Sequence, residues 1–89
     1  MRVEVGSANW KNLETLMGES LTTDKTYSIQ VVKGQSVMVV EGTSEPTDSE
    51  DGYVIGYNQG LDVTKESGVN VYVKSYNAGA FINVAERGE

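Results

Sequence analysis

The sequence predicts an all-β protein, a small antiparallel β-sandwich or jelly-roll-like barrel of six to eight short strands. Three observations predict it. Valine, isoleucine and tyrosine recur in runs of alternating polarity, the pattern of a pleated surface buried on one face. These runs follow one another at intervals of roughly 8–12 residues, each closed by turn residues, which is the rhythm of sandwiches and small barrels. The 89 residues suffice for one domain, and no internal repeat or linker divides them.

Residues 1–9 are polar, with Val3 and Val5 alternating. Two readings stand: a frayed terminus, or an arm that adds a strand to a neighbouring molecule through main-chain hydrogen bonds. The domain proper is then 10–89. Within 10–21, Leu13, Leu16 and Met17 have helical spacing, extended backward by Trp10, and Gly18 ends the run. Asn9 is a candidate N-cap, but Asn12 stands where a capping box wants Glu or Gln. Because all that follows is β-like, a strand or irregular segment is expected here.

Thr26–Val32 alternates cleanly, with Tyr27, Ile29 and Val31 on one face, and Lys33-Gly34-Gln35 turns the chain. Val37–Glu41 is the most apolar run and suits a central strand. Residues 42–52 form an acidic loop. Tyr53–Tyr57 is the next strand, weakened by Gly56. Leu61 and Val63 continue in a short strand, with Lys65 at its end. Val69, Val71 and Val73 claim the core face of the strand that follows, which leaves Tyr72 and Lys74 outward. Asn77-Ala78-Gly79 turns, and Ala80–Ala85 closes the set with Ile82 and Val84 on the face opposite Phe81, Asn83 and Ala85.

The composition excludes several functions. With no cysteine and no histidine, disulfides and ordinary zinc or haem ligation are ruled out, as are the common nucleophile–base dyads. A paired-carboxylate hydrolase needs a cleft that so short a chain has little material to build. No enzyme activity and no cofactor are therefore expected. The net charge of −6, with seven scattered basic residues, provides no footprint for nucleic acid. It would be repelled by an anionic membrane, and no apolar run approaches the ~20 residues of a span. The N-terminus lacks a signal-peptide core, so synthesis without Sec export is expected. A domain of this size buries only about 60% of its unfolded surface, so self-association or docking on a larger partner is the expected staple.

Two sets of residues are candidates for binding. Five acids lie between Glu41 and Gly52 with no base among them, leaving eight acids against seven bases elsewhere. Glu45, Asp48, Glu50 and Asp51 would make an acidic contact for a basic partner or, as a lesser reading, a calcium loop. The ordered EF-hand pattern is absent, so no metal site is assigned. A solvated loop that guards a sheet edge is the plainest reading. Trp10, Tyr72 and Tyr76, with Val3 and Val5, are the candidate anchors for a protein partner.

Leu21-Thr22, Thr26-Tyr27-Ser28-Ile29-Gln30, Val37–Glu41, Glu45-Pro46-Thr47, Gly52-Tyr53-Val54-Ile55, Val71-Tyr72-Val73-Lys74-Ser75 and Ile82-Asn83-Val84-Ala85-Glu86 follow in that order. This succession, over roughly residues 20–86, resembles the small β-sandwich proteins encoded among tailed-bacteriophage structural genes. Those are head decoration or cement proteins, or domains attached to tails and fibres. The resemblance implies a non-enzymatic virion protein, made in the host cytoplasm and placed on the capsid surface. It also implies the major capsid protein or another virion protein as partner, and a homo-oligomer, dimer or trimer. A tail, fibre or adaptor component is the nearest alternative, and a carbohydrate-binding module is the alternative from another class.

Overall fold

The computed structural model describes residues 1–47, 52–76 and 79–87. It contains eight strands and one short helix. They are β1 (Arg2–Val5), β2 (Lys11–Asn12), α1 (Leu13–Met17), β3 (Thr26–Lys33), β4 (Val37–Gly42), β5 (Tyr53–Ile55), β6 (Gly60–Thr64), β7 (Asn70–Ser75) and β8 (Ala80–Glu86). Two four-stranded antiparallel sheets form, in the orders β1-β8-β3-β6 and β2-β7-β4-β5. Of the links between successive strands, only β4–β5 stays within one sheet. This is the double-sheet jelly-roll arrangement.

Alternation along the strands produces the core directly. Tyr27, Ile29 and Val31 of β3, Val37 and Val39 of β4, Val71 and Val73 of β7, and Ile82 and Val84 of β8 all point between the sheets and are buried. A buried aliphatic side chain of this kind contributes about 1.5–3 kcal/mol. β3 and β8 register from Tyr27↔Glu86 to Lys33↔Phe81, with a shift between Val31 and Lys33. The alternation breaks at this bulge, where Lys33 is exposed at a position the period would bury.

Residues 1–9 are not a free arm. β1 pairs with β8 from Arg2↔Asn83 to Val5↔Ala80, and Val84 N–H extends the ladder by donating to Met1 O at 2.7 Å. Val3 and Val5 lie in the inter-sheet core. The sandwich therefore starts at β1 and not at residue 10, because the two alternating valines find their apolar partners within their own chain.

Residues 10–21 combine both rival readings. Lys11 and Asn12 pair with Val73 and Tyr72, and Leu13–Met17 then turns into a helix. Asn12, not Asn9, is the N-cap: its side chain accepts from Glu14 N–H at 2.9 Å. Gly18 ends the helix in the left-handed region, φ 74°, with its N–H bonded to Glu14 O, the conformation glycine tolerates best. The expected strand fails because burying Leu13 and half-burying Leu16 and Met17 against the core needs a helical turn.

β5 stops at Ile55, short of the expected Tyr57. Gly56 N–H donates to the Gln59 side-chain oxygen at 2.7 Å, and Gln59 N–H donates to Gly56 O. Asn58 takes a positive φ of 67°. The chain so turned is pinned to β3, where Asn58 N–H reaches Val31 O and Val31 N–H reaches Gln59 O.

Candidate functional site

The strand directions sort the connections onto two ends. β1, β3, β5 and β7 lead out at the first end, where Ser75 N–H bonds Gly6 O and Tyr76 N–H bonds Ser36 O. β2, β4, β6 and β8 lead out at the second, where Asp24 N–H bonds Lys65 O. Charge divides the same way. Among the described residues the second end gathers Glu14, Glu19, Asp24, Glu41, Glu45, Glu66 and Glu86, against Lys25, Lys65 and Arg87. The first end carries Lys33 and, at its rim, Glu4. Its described loop residues are otherwise Gly, Ser, Ala, Asn, Gln, Trp and Tyr.

Met1, 48% exposed, lies at the second end; the other large apolar side chains left in solvent lie along β5 or at the first end. Tyr53 is 69% exposed, Val54 55%, Tyr57 64% and Tyr76 60%. The first two are in β5, the outermost strand of its sheet. Tyr57 follows it at the first end, and Tyr76 emerges at that end beside Ser36. Between the sheets along this same edge lies an open cleft of about 440 Å³, lined by Val39, Val40, Glu41, Gly52, Tyr53 and Leu61.

The outer face of the β2-β7-β4-β5 sheet is apolar too, but most of it is covered. Register aligns Lys74, Met38 and Val54 in one row, and Asn12, Tyr72 and Val40 in the next. Tyr72 and Trp10 are buried, yet both lie outside the inter-sheet core. Trp10 Nε1 donates to Thr47 O at 3.1 Å, so the segment after β4 folds back over this face. The opposite sheet presents a polar outer face. There Thr26 and Thr64 share a hydrogen bond, and Arg2 and Lys33 stand 4.7 and 5.7 Å from the centre of the Phe81 ring.

The structure places the sequence-predicted residues unevenly. Tyr76 is exposed, as expected of an anchor. Val3, Val5 and Trp10 are buried within the chain and have no surface to offer a partner. Tyr72 was expected outward and exposed; it does point away from the inter-sheet core, but it is only 6% exposed. Like Trp10, it is buried outside the inter-sheet core. Glu45 is exposed, whereas Asp48, Glu50 and Asp51 lie outside the described residues. Among the described residues no group of three or more acidic, histidine or cysteine side chains is placed to hold a metal ion. Other polar groups serve the fold. Glu14 Oε2 accepts from Leu21 N–H, and Tyr27 Oη accepts from Thr22 N–H, both at 2.7 Å.

Sequence reasoning missed Val54 as a surface candidate and, among the aromatics that could line a sugar-binding platform, preferred Tyr72 and Tyr76 to Tyr53 and Tyr57. A signal was present: Gly52–Leu61 holds no charged residue, although five acids crowd the stretch just before it. β5 is an edge strand, and Tyr53 and Val54 stay in solvent while Ile55 is buried in the core.

No helix among the described residues is long and apolar enough to cross a membrane. The fold is that of a jelly-roll β-sandwich. Comparisons with protein-family models, curated proteins and solved structures found no match for this chain.

Proposed function

We propose that this chain is a non-enzymatic virion structural protein, a capsid decoration or cement protein that binds the outer surface of the head and stabilises the shell. One observation carries the reading: the exposed tyrosines and Val54 gather on β5 and at the first end, while carboxylates crowd the second end. A module so divided has one face to dock and another to keep hydrated. Tyrosines suit the docking face, because they bury large area at little entropic cost and are common interface anchors. The acidic end would stay clear of packaged DNA. The architecture adds an analogy, since jelly rolls serve in viral capsid domains and in lectins, although fold alone does not define function. The partner is the major capsid protein, and many copies on one shell make modest affinity per contact sufficient.

Co-sedimentation with purified empty capsids tests this. Binding that weakens at least tenfold in a Tyr57→Ala, Tyr76→Ala double variant supports it. Capsids that leave the protein in the supernatant overturn the head assignment. Binding to isolated tails or fibres instead would move the protein to a tail, fibre or adaptor role. The exposed Tyr57 and Tyr76 at a nearly uncharged end favour a carbohydrate-binding module as the second reading. Clear glycan-array binding that depends on these two tyrosines would establish it in place of the structural one.

A further inference from the structure

The four edge strands of the sandwich differ in how they are protected. β1 carries Arg2 and Glu4 and packs beside α1. β2 is two residues long and runs straight into the helix. β6 has Asp62 at its centre, bonded to Arg87 at 2.7 Å. Charges, shortness and a covering helix are the usual devices that stop a sheet edge from pairing with another chain. β5 is short, but it has no charge and no proline, and no strand covers its outer side. Tyr53, Val54 and Tyr57 stand in solvent along it.

We infer that β5 is an association edge, at which a second copy of this chain adds its own β5 in antiparallel register about a two-fold axis at Val54. In that register Val54 faces Val54 of the second copy, and Tyr53 faces its Ile55. No like charges meet. The same operation at the centre of β6 would set two Asp62 carboxylates opposite each other, which is destabilising. Charge also selects the antiparallel arrangement. Each copy has an acidic second end and a first end bearing Lys33. Antiparallel addition lays the acidic end of one beside the first end of the other, whereas a parallel arrangement would stack the acidic ends. The β2-β7-β4-β5 sheets of the two copies then become one eight-stranded sheet, which removes the exposed edge from both. An aromatic side chain buries ~150–250 Å², so Tyr53, Val54 and Tyr57 from each copy make an interface at or below the low end of the ~1,200–2,000 Å² range. Such a dimer is reversible and concentration-dependent. The inference does not depend on a virion setting.

The chain has no cysteine, so Val54→Cys introduces a single thiol on the proposed axis. Directly opposed residues in an antiparallel pair have Cα atoms ~4.5–5.5 Å apart, within disulfide reach. Under mild oxidation of the folded protein, V54C is expected to form a disulfide dimer at least tenfold faster than Thr23→Cys, an exposed control at the other end. Sedimentation equilibrium of the unmodified protein from about 10 µM to 1 mM is expected to show a monomer–dimer equilibrium. Val54→Lys places two ammonium groups on the axis and is expected to weaken the dimer at least tenfold, with an unchanged far-UV spectrum. A protein monomeric at 1 mM overturns the inference and leaves β5 to a different partner. So does a V54C cross-linking rate no greater than that of the control, or a V54K dimer of undiminished strength.

Discussion

The indole Nε1 of Trp10 donates to the carbonyl of Thr47 at 3.1 Å, joining points 37 residues apart. This bond ties the segment after β4 to Trp10, which is buried outside the inter-sheet core. Trp10→Phe keeps an aromatic ring but removes the donor and some volume. It is expected to lower stability by about 1–3 kcal/mol. Urea unfolding would show this as a lower midpoint at unchanged slope. An unchanged midpoint would mean that the bond does not hold the segment.

β1 contributes two buried valines and a complete ladder to β8. Deleting residues 1–5 removes at least ~3–6 kcal/mol of apolar burial, a large share of the ~5–15 kcal/mol available to a domain. Circular-dichroism melting is expected to show a strongly lowered or non-cooperative transition. A truncated protein melting like the full chain would restore the free-arm reading.

Gly52 lies where β5 meets β4. A Cβ built there would stand 2.4 Å from both Val39 O and Val40 Cγ2, whereas at Gly6 it would meet nothing within 4 Å. Gly52→Ala is expected to cost about 1–3 kcal/mol or more through forced backbone displacement, and Gly6→Ala close to nothing. Parallel denaturant titrations of the two variants check this. Equal effects would contradict the packing at the β4–β5 junction.

Lys65 is a buried cation bonded to backbone carbonyls. Its Nζ donates to Glu66 O at 3.2 Å and Val69 O at 2.5 Å, closing the turn by which the chain passes from β6 in one sheet to β7 in the other. Lys65→Met keeps most of the apolar stem and loses both bonds. A loss of about 1–3 kcal/mol is expected, with faster amide exchange at Val69, whose N–H bonds Glu66 O within the same turn. Slow exchange maintained in the variant would show that the turn holds without the ammonium group.

The strands were legible wherever one side of the pleat is apolar. Thr26–Lys33 and Ala80–Glu86 lie close to where alternation put them, because period-two burial writes itself into the residue order. The surface candidates were less legible. Alternation shows that Tyr72 points away from Val71 and Val73, but it is silent on what lies beyond. Trp10 and the chain near Thr47 cover that face from distant positions. Val3 and Val5 look like an arm only while β8, some eighty residues away, is out of view.

By itself the sequence determined the fold class, the apolar faces of β3 and β7, and the stop at Gly18. These depend on side-chain period, glycine's conformational freedom and neighbours a few residues apart. Only the tertiary structure decided that β1 is core, that Trp10 and Tyr72 are buried outside the inter-sheet core, and that β5 is an uncharged edge. Those outcomes depend on which strands become neighbours. Strand order is settled by summing many weak burial and pairing energies over the whole chain, and no local stretch of residues contains that sum.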